Sequence, residues 1–251
     1  NDTSPSNASY VGWSWRGSDS SAASNSDGSI TSTVSANTTA GFSIVKYTGN
    51  GVSGATVGHG LGAAPKIVLI KKTSSADSWS MLNTNINLNY YLKLEGSDAQ
   101  VNDALFNNTA PSTTVFTVDS DGQVNGNTNE FIAYCFAEKT GYSKFGTYTG
   151  NSSTDGPFIY TGFKPAFIML KKYSDTANWM MYDNKREGYN VDNDHLKANN
   201  SDQEGTSDDL DILSNGFKLR TSGSGENSGN FIYLAFAAEP LVANVGASIP
   251  A

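Results

Sequence analysis

The sequence is poor in the residues that cross-linking and catalysis use most. One cysteine, Cys135, permits no internal disulfide, which excludes a disulfide-stapled secreted scaffold. There are two histidines, His59 and His195, and no Cys/His cluster for zinc. Charged residues make up 16% of the chain, against about 25% in an average domain. The 16 Lys+Arg against 24 Asp+Glu give a formal charge of -8 and no basic footprint, so no nucleic-acid partner is expected. No apolar run approaches the roughly 18 residues of a membrane helix, so no membrane partner is expected either. The start, Asn1-Asp2-Thr3-Ser4-Pro5, has neither an initiator Met nor a charged-then-apolar signal, and reads as the cut edge of a longer polypeptide.

What fills the space is small and polar. Gly, Ser, Thr and Asn together form about two fifths of the 251 residues, a composition that excludes coiled coils and helical bundles. The 12 Phe, 12 Tyr and 4 Trp nevertheless supply enough apolar surface to offset chain entropy. A folded, β-rich chain of about two domains follows.

Internal self-similarity organises it. Gly62-Ala-Ala-Pro65-Lys-Ile-Val-Leu-Ile-Lys71-Lys72 returns as Gly162-Phe-Lys-Pro165-Ala-Phe-Ile-Met-Leu-Lys171-Lys172. Trp79 and Trp179 stand at the same offset from their lysine pairs, one hundred residues apart. Phe131-Ile-Ala-Tyr-Cys-Phe136-Ala-Glu138 is matched by Phe231-Ile-Tyr-Leu-Ala-Phe236-Ala-Ala-Glu239, and Tyr47-Thr-Gly-Asn50 by Tyr148-Thr-Gly-Asn151. Two tandem units result, 41–139 and 140–239. Tyr10-Val-Gly-Trp13-Ser-Trp15 echoes the closing segment, so 1–16 is expected to be the last strand of a preceding unit. Residues 17–40, rich in Ser, Asp, Gly and Thr, read as a linker that can run extended along the first unit. Residues 240–251 form an apolar closing tail, expected to dock on its own or an adjacent subunit.

Within each unit the apolar residues alternate, with Ile132, Tyr134 and Phe136 on one face and Ala133 and Cys135 on the other. The continuous run Ile67-Val-Leu-Ile70 predicts a strand covered on both faces. Thr113–Val118, the turn Asp119-Ser-Asp121-Gly122 and Val124 predict a hairpin, with Ser214-Asn215-Gly216-Phe217 as its counterpart. A helix over Asp98–Phe106 is the only helical expectation. The fold class expected is all-β: two tandem antiparallel β-sandwiches, jelly-roll-like, of about one hundred residues each.

Candidate chemistry is thin. His59 and His195 are not repeat-equivalent, and no Gly-x-Ser-x-Gly elbow accompanies them, so ordinary turn and surface roles outweigh a Ser-His-Asp relay. Asp119-Ser-Asp121-Gly122 opens like a calcium loop but lacks the later ligands. The acidic run from Asp202 through Glu204 and Asp209 to Asp211 offers oxygen ligands, yet a solvated loop accounts for it. Cys135 aligns with Ala235 and reads as a buried, inert thiol. Trp79 and Trp179 recur in register and so read as core. Tyr90, Tyr91, Tyr173, Tyr182 and Tyr189 fall where the units diverge; Tyr90, Tyr91, Tyr182 and Tyr189 are the candidates for contact with a glycan. No catalytic residue, metal or cofactor is assigned.

The runs Asp27-Gly-Ser-Ile-Thr-Ser-Thr-Val-Ser-Ala-Asn-Thr-Thr-Ala-Gly41-Phe42 and Val57-Gly-His-Gly-Leu-Gly-Ala-Ala-Pro65 resemble a repeat domain of marine tailed bacteriophages. So does Asn215-Gly-Phe-Lys-Leu-Arg220 leading into Phe231–Glu239. The resemblance spans essentially the whole chain. It implies a place in the C-terminal part of large virion or tail-fibre-like proteins and carries no catalytic residues. The expected function is a non-enzymatic virion structural protein, an appendage fibre or surface decoration. The alternative is a glycan-binding host-adhesion module; a polysaccharide depolymerase ranks third. Expected partners are further copies of the chain, with a closed trimer first, then other virion proteins, and in the adhesion reading host surface glycans.

Overall fold

The computed structural model describes residues 9–186, 190, 194–207 and 209–237. Tyr189, Glu239 and the tail 240–251 lie outside the described residues. Eighteen strands and no helix are found among those described: β1 Ala23–Asn25, β2 Ser32–Asn37, β3 Phe42–Thr48, β4 Ala55–Gly58, β5 Ile67–Lys72, β6 Trp79–Asn83, β7 Tyr90–Lys93, β8 Val101–Asn102, β9 Val115–Val118, β10 Glu130–Phe136, β11 Ser143–Asn151, β12 Phe158–Tyr160, β13 Pro165–Lys172, β14 Trp179–Asp183, β15 His195–Lys197, β16 Leu210–Leu213, β17 Gly216–Leu219 and β18 Ser228–Ala237. No helix of the described residues is long and apolar enough to cross a membrane.

The strands build two large sheets, ordered β1-β2-β3-β10-β5-β6-β7-β8 and β11-β18-β13-β14-β15. Each is faced by a small sheet, β4-β9 or β12-β17-β16. The order β3-β10-β5-β6-β7 therefore recurs as β11-β18-β13-β14-β15, and all named strand pairs are antiparallel. The protein is an all-β, sandwich-type fold. Lys71 faces Trp79 across β5 and β6 as Lys171 faces Trp179 across β13 and β14.

Alternation decides which core each residue enters. Along β18, Phe231, Tyr233 and Ala235 join a core with Ile159, Ile212, Phe217 and Leu219 of the small sheet. Ile232, Leu234 and Phe236 enter a different cluster on the opposite face. β10 does the same: Phe131, Ala133 and Cys135 face Val57, Phe116 and Val118, while Phe136 joins the shared cluster. That third cluster combines Ile67, Met81, Ile86 and Leu92 of the first unit with Phe145, Phe167, Trp179 and Phe236 of the second. The large sheets thus pack back to back, giving four layers. This is why Ile67-Val-Leu-Ile70 is apolar without a break: Val68 and Ile70 serve the first core, Ile67 and Leu69 the seam.

Polar bonds cross the seam as well. The Trp179 indole N–H donates to the Lys93 carbonyl at 2.9 Å. The Lys171 ammonium, fully buried, donates to the carbonyls of Ser97 at 2.9 Å and Ala177 at 2.6 Å.

Four expectations are corrected. Residues 9–16 form no strand; Trp15 instead meets Phe136, Phe167 and Phe236 edge-on at 5.2–6.3 Å, and Trp13 meets Phe167 at 5.3 Å. The aromatic spacing that imitates a closing strand serves the rim of the seam. Residues 17–40 are more than a linker, because Ile30, Ser32, Val34 and Ala36 alternate with polar residues and β2 pairs with β3 over six residues. The expected extended course along the first unit is what they take. No helix covers 98–106: Val101–Asn102 pairs with β7, and Asn107 and Asn108, just beyond, hold φ of 51° and 50°, incompatible with helical continuation. The Asp119–Gly122 turn does not form a hairpin. Its Asp121 carboxylate accepts the Gln123 N–H at 2.7 Å, β9 pairs with β4, and the strand counterpart of β9 is β17. Of the two expected turns, Ser214-Asn215 alone closes a hairpin, between β16 and β17.

Candidate functional site

Each unit repeats one polar device where the large sheet meets the turn after β3 or β11. The Tyr47 hydroxyl donates to the Val124 carbonyl and the Tyr148 hydroxyl to that of Glu226, both at 2.6 Å. Tyr47 stacks on Phe131 at 5.1 Å and Tyr148 on Phe231 at 4.8 Å. Burial raises both phenol pKa values well above the ordinary range. Beside them, the fully buried Asn125 amide donates to Asn50 Oδ1 and the Val52 carbonyl and accepts the Asn50 N–H at 2.9 Å. Asn227 repeats this with Asn151 and Ser153 and adds the Thr221 carbonyl at 2.7 Å. The sequence reading missed both asparagines. Their signal is one matched Asn among 26, which composition drowns.

The histidines are pinned in structural positions. His59 is fully buried; its Nδ1 accepts the Leu61 N–H at 3.2 Å and its Nε2 donates to the Ser112 carbonyl at 3.2 Å. Burial lowers its pKa, with the Ser112 carbonyl and Asp27 opposing. His195, on β15, has Ser207 Oγ at 3.4 Å and Asp209 Oδ2 at 3.6 Å, both on Nδ1. The Ser207 hydroxyl itself donates to Asp209. A relay needs serine and carboxylate on opposite ring nitrogens, so these three side chains do not form one. Burial lowers the His195 pKa, with Asp209 opposing.

The acidic run is largely neutralised in place. Asp202 accepts from Lys197 at 2.7 Å, Glu204 from Arg186, and Asp211 from Arg220. Arg186 also donates to Asp183 at 2.8 Å and to the Asp194 carbonyl at 2.7 Å, clamping β14 to the segment before β15. Among the described residues no three His, Cys, Asp or Glu side chains are placed to hold a metal ion. Among the described residues the one strongly perturbed acid is Glu226, pushed up to about 7 chiefly by burial, with Asp209 adding to it. Burial pushes the Cys135 thiol up to about 12, so it carries no thiolate at neutral pH.

The tyrosines proposed for glycan contact are corrected. Tyr91 is 3% exposed in the first core and Tyr182 fully buried in the second. Tyr90, the alternate residue on β7, packs into the seam, as does Tyr173. Tyr90 keeps only part of its ring in solvent. Tyr189 lies outside the described residues. Among the described residues the exposed rings are Tyr10, 59% exposed, ahead of the first strand, and Phe158, 47%, and Tyr160, 64%, on β12. A crevice of about 490 Å³ opens beside Tyr160, between Thr161–Gly162 and the Glu138, Thr140, Gly141, Ser143 and Lys144 side. The alternation Phe158-Ile159-Tyr160 was the available signal, since Ile159 alone enters the core.

These features define an all-β, sandwich-type protein whose polar side chains mainly fasten turns and edges. A family model described as Domain of unknown function (DUF7483) matches residues 1–240, and the chain belongs to that family. No curated protein and no solved structure matches it.

Proposed function

We propose that the chain is a non-enzymatic structural protein of a tailed-bacteriophage virion, an appendage fibre or surface decoration, assembled as a homo-oligomer with a closed trimer as first choice. The observation that carries this reading is the seam. Two sandwiches share one aromatic cluster, so the repeats form a single stiff block rather than hinged beads. The use of His195, Arg186 and the acidic run as ties within the second unit supports the same reading, as does the resemblance of Asp27–Pro65 and Asn215–Glu239 to the marine phage repeat. The glycan-adhesion alternative gains nothing from Tyr91 and Tyr182, which are buried, and little from Tyr90, which is half-buried against the seam. Immunogold labelling of intact, purified particles with an antibody raised against the recombinant chain tests the proposal. Regular labelling at one place on the particle is expected; particles free of the chain would overturn it.

A further inference from the structure

The two units differ at one edge, and the first unit shows what belongs there. β3 is covered by β2, paired from Ser32–Tyr47 to Asn37–Phe42. The same arm reaches the small sheet: the Ile30 N–H donates to the Thr56 carbonyl at 2.9 Å, and the Ser32 hydroxyl to the Gly58 carbonyl at 2.8 Å. Asn25 lies so close over Gly58 that a Cβ there would sit 1.6 Å from its Oδ1. The arm therefore plugs the gap between the large and small sheets.

In the second unit only residues 137–142 precede β11, too few to make such an arm. β11 is nine residues long and stands at the end of its sheet. Because the Ala237 N–H meets the Tyr142 carbonyl at 2.8 Å, the odd-numbered N–H groups of β11 point away from β18. The Phe145 N–H is taken by Glu138 Oε1 at 2.8 Å and that of Asn151 by Asn227 Oδ1 at 3.0 Å. The N–H groups of Thr147 and Thr149 have no partner among the described residues. The crevice beside Tyr160 is the unplugged gap. Open strand edges of this length are usually blunted or covered.

We infer that this edge is a β-augmentation site for the chain's own closing segment, residues 241–249. Ala237 ends β18 bonded to Tyr142, whose neighbours Gly141 and Ser143 line the crevice. Three residues, 238–240, can span about 10 Å when extended, the width of two strand spacings and enough to pass β11. The nine residues that follow alternate as an edge strand requires. Leu241, Ala243, Val245, Ala247 and Ile249 form one apolar face, comparable with Ile30, Val34 and Ala36 of the arm. The inference goes beyond the functional proposal and holds whatever particle the chain belongs to.

Residue-resolved hydrogen exchange tests it on three proteins: the full chain, a chain ending at Ala237, and the full chain carrying Val245→Asp with Ala247→Asp. The Thr147 and Thr149 amides should exchange at least about tenfold faster in both variants than in the full chain, while β3 amides stay unchanged. A synthetic peptide of residues 238–251 should restore protection to the shortened chain. If the shortened chain does not fold, the double substitution decides alone. Equal exchange at Thr147 and Thr149 with and without an intact tail overturns the inference. So does protection that rises with protein concentration, which would make a second copy the occupant.

Discussion

Strands β3 and β11 hold the same place beside β10 and β18, yet one lies inside its sheet and the other at the rim. The difference comes from what precedes each repeat. The first unit is preceded by residues 17–40, whose sparse apolar positions suffice for an edge strand because such a strand buries only one face. The second follows β10 after residues 137–142. A repeat can thus be faithful in its core and different at its boundary, and the boundary is where new contacts become possible.

The largest effect should come from breaking what the units share. Phe236 touches Trp15, Phe136, Tyr142, Phe145 and Phe167 with ring centroids 5.2–6.3 Å away. Phe236→Ala should cost about 3–5 kcal/mol and split a single thermal transition into two. A loss under about 1 kcal/mol in calorimetry would show that the units do not depend on the seam. Next come the asparagine latches. Asn125→Ala and Asn227→Ala should each cost about 1–3 kcal/mol, with Asn227 the dearer because it leaves the Thr221 carbonyl unpaired as well. Urea denaturation of both variants measures the gap, and a cheaper Asn227 would break the parallel.

The smallest effect is a matter of pH and belongs to the second unit alone. Where the first unit has Val124 behind its buried tyrosine, the second has Glu226, raised from 4.5 to about 7. A carboxyl raised on folding binds its proton more tightly in the native state. Its contribution is full below about pH 4.5 and is lost as pH rises through 7. His59 and His195 are shifted the other way and weaken the fold below pH 6.5, so wild type alone would mix the two trends. Glu226→Gln isolates the acid: between pH 5 and 8 the variant should gain on wild type in denaturation midpoint. A difference that does not move with pH would show that Glu226 ionises normally.

Much of the fold was legible because strand chemistry has a short period. Pro65 and Pro165, the lysine pairs and the two Phe-rich closing strands fixed the repeat. The unbroken run at Ile67 announced a sheet covered on both sides. What covers the second side was not legible, since Phe136, Phe167 and Phe236 look the same in sequence whether they face a partner or the next repeat. Tyr91 and Tyr182 show the same limit: they lie where the units diverge in sequence, and divergence does not mean exposure. Trp13 and Trp15 imitate a strand because a rim that must fill aromatic gaps uses the same spacing. The Asn latches were invisible, as one polar residue in a polar sequence carries no period.

The back-to-back seam also changes where this molecule can be cut. Sequence periodicity invites division near residue 140, into two pieces that each contain a complete sandwich core. Such a cut would strip Phe145, Phe167, Trp179, Ile232 and Phe236 of their cover in one piece and Ile67, Met81 and Leu92 in the other. Each half would then carry a broad greasy wall into water, and exposed apolar walls drive precipitation and promiscuous pairing. The unit of inheritance here is one repeat; the unit of solubility is two.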